Sequence, residues 1–565
     1  MAMNTSDRGL STTATSSPFT AAVTTTTPTA FIALLFALLV SIISYVNLKK
    51  RSSKAKFVAN ASEGAGSIVT GKNIKPVLPP SPPSWPVVGN IPELFTKKPV
   101  FRWVHNLMKE MNTDICLIRL GGFNIIPVLD PAIAREMFKK QDAIFVDRPH
   151  TVGSHAMGGG YTATIGTPYG DQWRKMRKVI TSEIVSPARH KWLHQKRAEE
   201  ADNLVFYVHN LCMAGKSVDL RLTTQHYCGN VIRKMMFSKR FFGEPTADGG
   251  PGAKEIEHVK AIFQALKYLY SFCISDYLPF LRGLNLDGQE KLVKDANKTI
   301  RDLQRPIIDE RMRQWQSGER KEMEDLTDVF ITLKDSDGKP LLTPDEIKHQ
   351  IAEIMVATVD NPSNAVEWAM AELINQPDLL AKATAEIDRV VGKDRLVQES
   401  DIGSLNYVKA CAREAFRLHP MAPFNVPHVT IQDTVVAGYF IPKGSHALLS
   451  RYGLGRNPKA WADPLRYDPE RHLKDGTEVV LTEHDLRFVS FSTGRRGCVA
   501  ALLGTCMTTM LLARLLQCFS WAPPGNTKSI DLTVDDMSDE LIMKLPLTAA
   551  ATPRLAPHLY PKITN

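Results

Sequence analysis

A mainly α-helical body with small β-sheets, preceded by one membrane-crossing helix, is what this sequence predicts. Three observations carry that expectation. A capped stretch from Thr343 keeps apolar residues on one face as far as Asn375. Alternating, strand-like stretches are few. "AFIALLFALLVSIISYV", residues 30–46, runs without a charge.

The elements follow in chain order. Residues 1–29 are rich in Thr and Ser, with Asp7 and Arg8 as their charges. The apolar run after them is just long enough for a bilayer core at about 1.5 Å per residue. "KKR" at 49–51 follows, and positive charge there orients the rest of the chain to the cytosol. A plastid transit peptide shares the Ser/Thr richness and the scarcity of acids. The missing cleavage-site pattern and the long polar stretch favour a retained anchor. The reading is a luminal tail at 1–29, an anchor at 30–47 and a basic, polar linker at 48–78. A folded body at 79–565 opens on a stiff proline hinge at 79–92.

The 565 residues suffice for a large core, and 44 % are apolar. Eight cysteines lie far apart without a CxxC pair, which fits free thiols in a reducing compartment. The net charge of +10 suits a membrane surface or an acidic partner. Nothing resembles a nucleic-acid module.

In the body, Thr343 is a helix cap, Pro344 suits the first turn and Glu346 completes a capping box. Ile347, Ile351, Ile354 and Met355 share one face. The helix would run roughly 45 Å, with Pro362 inside it. "TVVAGYFIPKGSHALLS", 434–450, reads as a hairpin turning at Pro442–Lys443–Gly444.

The most informative stretch is "FSTGRRGCVA", 491–500. Phe491, Gly494, Arg496 and Cys498 are spaced F-x-x-G-x-R-x-C. Gly494 and Gly497 permit turns that face backbone N–H groups to a metal-bound sulfur. Phe491 can shield the sulfur, and Arg496 can pair with a carboxylate. The stretch after Cys498 reads as a helix whose N-terminal end would stabilise thiolate charge.

This loop resembles the haem-binding loop of the cytochrome P450 superfamily, and further motifs agree. "EAFR" supplies Glu414 and Arg417, matching the family's ExxR helix. "PERH" supplies Arg471, third member of its Glu–Arg–Arg cluster. "WRKMR" supplies Trp173 and Arg177, where the family faces a haem propionate. "PPSPPSWPVVGN" resembles its proline hinge, with Ser81 in place of the usual glycine. The resemblance spans about Pro79 to the C-terminus and implies haem b with Cys498 as the iron ligand. It also implies O2, and NADPH acting through a reductase. Singly, each motif has a plainer reading: a solvated helix pair for Glu414 and Arg417, core for Trp173, a buried hydrophobe for Cys498.

Three positions depart from the superfamily pattern. The oxygen-side helix carries Asp360, Asn361 and Pro362 where an acid and Thr are usual. Ala500 replaces a glycine, and His428 stands where an arginine is usual. His428 is read as a propionate partner or as an ordinary polar loop residue. These departures resemble one subgroup, the plant amino-acid N-monooxygenases, near members acting on valine and isoleucine or on phenylalanine. "DNPSNAVEWAMAE", "PARHKWLHQKR" and "LSRYGLGRNPKAWADP" carry that likeness.

The resemblance implies an L-amino acid whose amine is hydroxylated twice. Loss of water and CO2 then gives an aldoxime, the first step toward cyanogenic glucosides or related defence compounds. Asp360 and Asn361 are expected to organise proton delivery, or merely to relax a proline kink. Arg148 is a candidate for the substrate carboxylate, a propionate or surface contact being the alternative. Thr548, in "LPLTAAATPRL", is a candidate for a second substrate loop, and "YLYSFCISDYLPF" (268–280) for a side-chain pocket. The basic group Arg174, Lys175, Lys178 and Arg495 suits a reductase or a generic surface. The implied setting is the endoplasmic reticulum membrane, with lipid and a downstream aldoxime-metabolising P450 as further partners. Rival readings are an oxygen-independent rearrangement, ordinary C-hydroxylation, and a membrane-anchored haem protein without turnover.

Overall fold

The computed structural model describes residues 77–473, 476–534 and 539–562. The tail 1–29, the anchor 30–47 and linker residues 48–76 lie outside the described residues.

The body is helical, with three small sheets. Ten helices frame the site: α1 (Val152–Met157), α2 (Asp171–Val179), α3 (Pro187–Trp192), α4 (His194–Met213), α5 (Leu220–Phe237), α6 (Ala253–Tyr270), α7 (Gln289–Gln316), α8 (Pro344–Asn375), α9 (Asn406–Leu418) and α10 (Ala501–Cys518). The central one is α8, which packs against α5, α6, α9 and α10. Its start is the expected capping box: Glu346 N–H donates to Thr343 Oγ1 (3.2 Å) and Thr343 N–H to Glu346 Oε2 (2.8 Å). The helix continues through Pro362. Its C-terminal half lies in the core, where Trp368 stacks flat on His419 at 4.0 Å.

Among the described residues, α10 alone is long and apolar enough to cross a membrane. Of it, 78 % is buried inside the body, so it is a core helix. It continues from the Cys498 loop and packs on α8, α9 and α4.

The sheets are β1 (Ile118–Leu120), β2 (Phe123–Val128), β7 (His446–Leu449) and β4 (His428–Val429), in that spatial order; β3 (Val218–Asp219), β9 (Thr548–Pro553) and β8 (Phe519–Ala522); and the pair β5 (Thr434–Val436) and β6 (Tyr439–Ile441). The expected hairpin is therefore corrected. It turns at Ala437–Gly438, both in left-handed backbone, and joins β5 to β6. Pro442–Gly444 instead carries the chain to β7, which pairs parallel with β2 and antiparallel with β4. Alternation marks a strand but does not name its neighbour.

The proline hinge is strapped to the body rather than standing free. Leu117 N–H donates to Pro80 O (2.9 Å) and Phe440 N–H to Val77 O (2.8 Å). Gly89, at φ +65°, approaches so closely that a Cβ there would sit 2.2 Å from Arg119 O.

Candidate functional site

The loop before α10 is built by short backbone bonds. Cys498 N–H donates to Phe491 O (2.8 Å) and Gly497 N–H to Gly494 O (3.0 Å). Gly494 lies at φ +67°, where a Cβ would meet the Asp142 carboxylate at 2.2 Å. Phe491 rests over the first turn of α10, and a Cβ on Gly504 would touch its ring at 2.8 Å. Ala500 caps α10 without a side-chain hydrogen bond, leaving N–H groups open beside the thiol. Cys498 is the one exposed cysteine of the eight. Its sulfur opens onto a cavity but is walled by protein on its other sides. That desolvation pushes the thiol up, while the Ala500 N–H and the Arg177 charge pull it down.

The cavity has a volume of about 300 Å³, and Cys498 is the only cysteine lining it. Trp173, Arg177, His428, Phe491 and Arg496 also line it, so the sequence-chosen ring is assembled in one place. The Arg496 guanidinium lies 4.4 Å from the centre of the Trp173 ring, and that of Arg177 6.0 Å. Arg496 donates to Val146 O (2.8 Å) and Thr167 O (2.9 Å). Burial pushes it down to about 10, opposed by Asp147 and reinforced by Arg177. Burial likewise lowers Arg177. Among the described residues, no carboxylate lies within ion-pair distance of Arg177 or Arg496. His428 donates from Nδ1 to Phe145 O (2.7 Å) and packs edge-on against Phe138. Burial and the Arg148 charge keep its imidazole neutral, with Nε2 as an acceptor.

The oxygen-side helix divides its two singled-out residues. Ala357, Thr358 and Asn361 of α8 line the cavity. Asp360 does not. It lines a second cavity, with Lys267, Asp539 and Glu540 among its walls. Asp360 and Asn361, expected to organise proton delivery, face different spaces, because successive helical residues are about 100° apart. Asp360 is 2 % exposed, and its Oδ2 has no hydrogen-bond partner. Burial pushes it up to about 7, opposed by Arg451.

Of the substrate candidates, Arg148 lines the main cavity and the neighbouring one, and donates to Val426 O (2.8 Å) and Pro427 O (2.7 Å). Thr548 is corrected: it opens β9, pairs with Asp219 and is not among the residues lining the cavity. From 268–280, Leu269 reaches the main cavity, while Phe272 and Tyr277 line the neighbouring one. Sequence reasoning missed Glu353, a buried acid on α8 at the cavity wall. It accepts from Thr164 N–H (2.7 Å) and Ile165 N–H (2.8 Å), pinning the loop above the cavity. Its signal was an acid set among apolar residues in "IAEIM".

Away from the cavity, Glu414 Oε1 accepts from Arg417 Nη2 (2.7 Å) and Arg471 Nε (2.9 Å). Its Oε2 accepts from Arg417 Nε (2.8 Å) and from His472 Nε2 (2.7 Å), a member not singled out from sequence. Burial alone would push Glu414 up, but the hydrogen bonds of Arg417 and His472 outweigh it and hold the carboxyl at about 2. The basic group is largely spent internally: Arg174 pairs with Asp171, Lys175 with Glu346 and Arg495 with Asp142.

Residues 79–544 match the family described as Cytochrome P450. The chain is 71 % identical over 484 residues to Valine N-monooxygenase 1 of Manihot esculenta, covering 86 % of this chain and 89 % of that one. It is 66 % identical to Valine N-monooxygenase 2 of the same plant, covering 99 % of both. A solved zebra fish cytochrome P450 with progesterone superposes with a TM-score of 0.66 at 23 % identity, over 80 % of this chain and 100 % of that one. With a match over most of its length, the chain belongs to the cytochrome P450 family.

Proposed function

We propose that this P450 N-hydroxylates a small aliphatic L-amino acid twice, with loss of water and CO2 to give the aldoxime. Valine is the favoured substrate. The enzyme class follows from the family, which works with a thiolate-ligated haem, O2 and NADPH-derived electrons. The substrate assignment rests on the names of the two Manihot relatives. The observation that carries the site is a single cavity-facing thiol in one cavity with two arginines that have no carboxylate of the described residues within ion-pair distance.

The residues fit haem. The cavity's one thiol is Cys498, and Arg177 and Arg496 on its wall are placed to take acidic groups. When bound, haem supplies the activation of O2 that a protein side chain cannot. The chain does the rest. Cys498 provides the anionic sulfur, and the open N–H groups at Ala500 stabilise its charge. Arg177 and Arg496 hold the propionates, with Trp173 keeping both guanidinium groups in register. His428 takes part only by gaining a second proton, which a propionate at Nε2 would favour. Phe491 keeps water from the sulfur.

On the opposite wall, Asn361 holds a water with its amide, which both donates and accepts. Pro362 lacks an N–H, so the Thr358 carbonyl is released from its helix bond and faces the same water. Asp360 serves from the far side of the helix as a proton reservoir rather than beside Asn361. Arg148 is the partner of the substrate carboxylate. Thr548 is not retained in that role.

The same proposal includes an anchor at 30–47, a linker at 48–78 and a body facing the cytosol from the endoplasmic reticulum membrane. The reductase docks near Lys178 and Arg495. The test is a panel of amino acids with full-length protein, reductase and NADPH, read by mass spectrometry. Valine should give its aldoxime at a higher kcat/KM than phenylalanine or tyrosine. Hydroxylation at carbon, or product formed without O2, would overturn the reading.

A further inference from the structure

Outside the haem cavity, three ligating side chains from three separate segments converge, with His194 at their edge. His190 comes from α3 and His194 from the start of α4. Glu399 opens the 3-10 turn Glu399–Ser404, and Cys506 is in α10. Ligand atoms of His190, Glu399 and Cys506 all lie within 4.8 Å of one another. His190 Nε2 is 3.7 Å from Glu399 Oε2, and His194 Nε2 is 4.0 Å from the same oxygen. Donor atoms on a tetrahedral Zn2+ sit roughly 3.3–3.8 Å apart, so small rotamer shifts would close the set.

A second, independent feature points the same way. Arg197 is 2 % exposed and grips Glu399 through Nε (2.7 Å) and Nη2 (2.8 Å). Each carboxylate oxygen keeps a second lone pair for a metal. The remaining Arg197 nitrogen, Nη1, is buried with no hydrogen-bond partner, and Arg197 interacts with Cys506. The Arg197 guanidinium thus reaches both the carboxylate and the thiol of the cluster, as an outer partner of two ligands would. Outer partners of this kind orient ligands and tune a site.

We propose that His190, Glu399 and Cys506 form a three-residue site for one Zn2+, separate from the haem cavity, with His194 at its mouth and Arg197 as the outer partner of its carboxylate and thiolate. Binding forms Zn–S, Zn–N and Zn–O contacts and releases the Cys506 thiol proton to solvent, with no change of oxidation state. Cys506 is nearly buried, whereas the His194 side chain is 48 % exposed, so the ion enters past His194. The bound ion ties α3 and the 399–404 turn to α10, the helix that continues from Cys498. Because the ion binds the folded chain and not the unfolded one, it raises the melting temperature.

The experiment uses untagged, full-length holoenzyme equilibrated with Zn2+, freed of excess metal, and assayed for zinc and haem by elemental analysis. One zinc per haem is expected in the parent protein. Cys506→Ser and His190→Ala should each retain less than a tenth of that and lose the Zn2+-dependent rise in melting temperature. The carbon monoxide difference spectrum of each variant reports whether its haem site is intact. Co2+ in place of Zn2+ should add a thiolate charge-transfer band that Cys506→Ser lacks. Less than stoichiometric zinc in the parent would overturn the proposal, as would equal retention by variants with intact haem. Neither result bears on the amino-acid reaction, which is assayed separately.

Discussion

Two buried charged regions of this molecule behave in opposite ways. Around Glu414, charge is closed: one carboxylate meets Arg417, Arg471 and His472, and each of its oxygens is used at least twice. Around the Cys498 cavity charge is open. Arg177 and Arg496 line it with no carboxylate of the described residues within ion-pair distance, and Asp360 on the same wall helix has an oxygen without a hydrogen-bond partner. Closed charge stabilises a fold, whereas open charge implies a group still to arrive or a proton to be moved.

The sharpest way to break that contrast is at Glu414. Glu414→Ala leaves buried guanidinium groups uncompensated and should cost about 3–5 kcal/mol in urea unfolding. The pH dependence has a definite sign. The folded value is about 2 against an ordinary 4.5. The contribution is therefore full above about pH 4.5 and lost as pH falls toward 2, some 3 kcal/mol in all. A parent protein equally stable at pH 6 and pH 3 would remove the closed-cluster description.

Asp360 should behave in the reverse sense. Its folded value is about 7 against an ordinary 3.8, so the folded state holds a proton that the unfolded state releases. Stability is then lost as pH rises from about 4 through 7. Asp360→Asn should stabilise the protein above pH 7 by at most roughly 4 kcal/mol and have no effect below pH 4. Melting temperatures of both proteins at pH 5 and pH 8 decide it. An equal shift at both would mean that the oxygen is paired after all.

Smaller changes are expected at the open arginines. Arg496→Gln or Arg177→Gln should weaken haem retention about tenfold, which is about 1.4 kcal/mol, while leaving apoprotein stability unchanged or improved. Haem transfer to an acceptor protein measures this. A destabilised apoprotein with normal haem retention would place these residues with Glu414 instead. The mildest effect is at Asn361. Asn361→Ala should lower aldoxime formed per NADPH several-fold while leaving valine binding in place, as read by coupling ratio and substrate difference spectra.

Much of this was legible from local spacing. Thr343 and Glu346 predict their capping box because both partners lie within one turn. F-x-x-G-x-R-x-C puts a thiol ahead of a helix because the turn it needs spans only those residues. Glu414 and Arg417 share a helix face for the same reason. Long-range partners were less legible. The strand at 446–449 is buried throughout, and its neighbours are β2 and β4, neither adjacent in sequence. Thr548 lies in an edge pairing with Asp219. His472 completes the Glu414 cluster through a fold that brings 414 and 472 together.

By itself, then, the sequence determined the long helix with its cap, the helix after Cys498, the haem-type loop and the residue types that surround it. Those features depend on contacts a few residues apart, which a chain encodes in its own periodicity. Tertiary structure alone decided that Asn361 faces the cavity while Asp360 does not, that Glu353 clamps the loop above it, and that Cys506 meets His190 and Glu399. Each of these depends on how a helix is rotated against distant neighbours. That rotation is set by the packing of the whole core, which no short stretch of chain records.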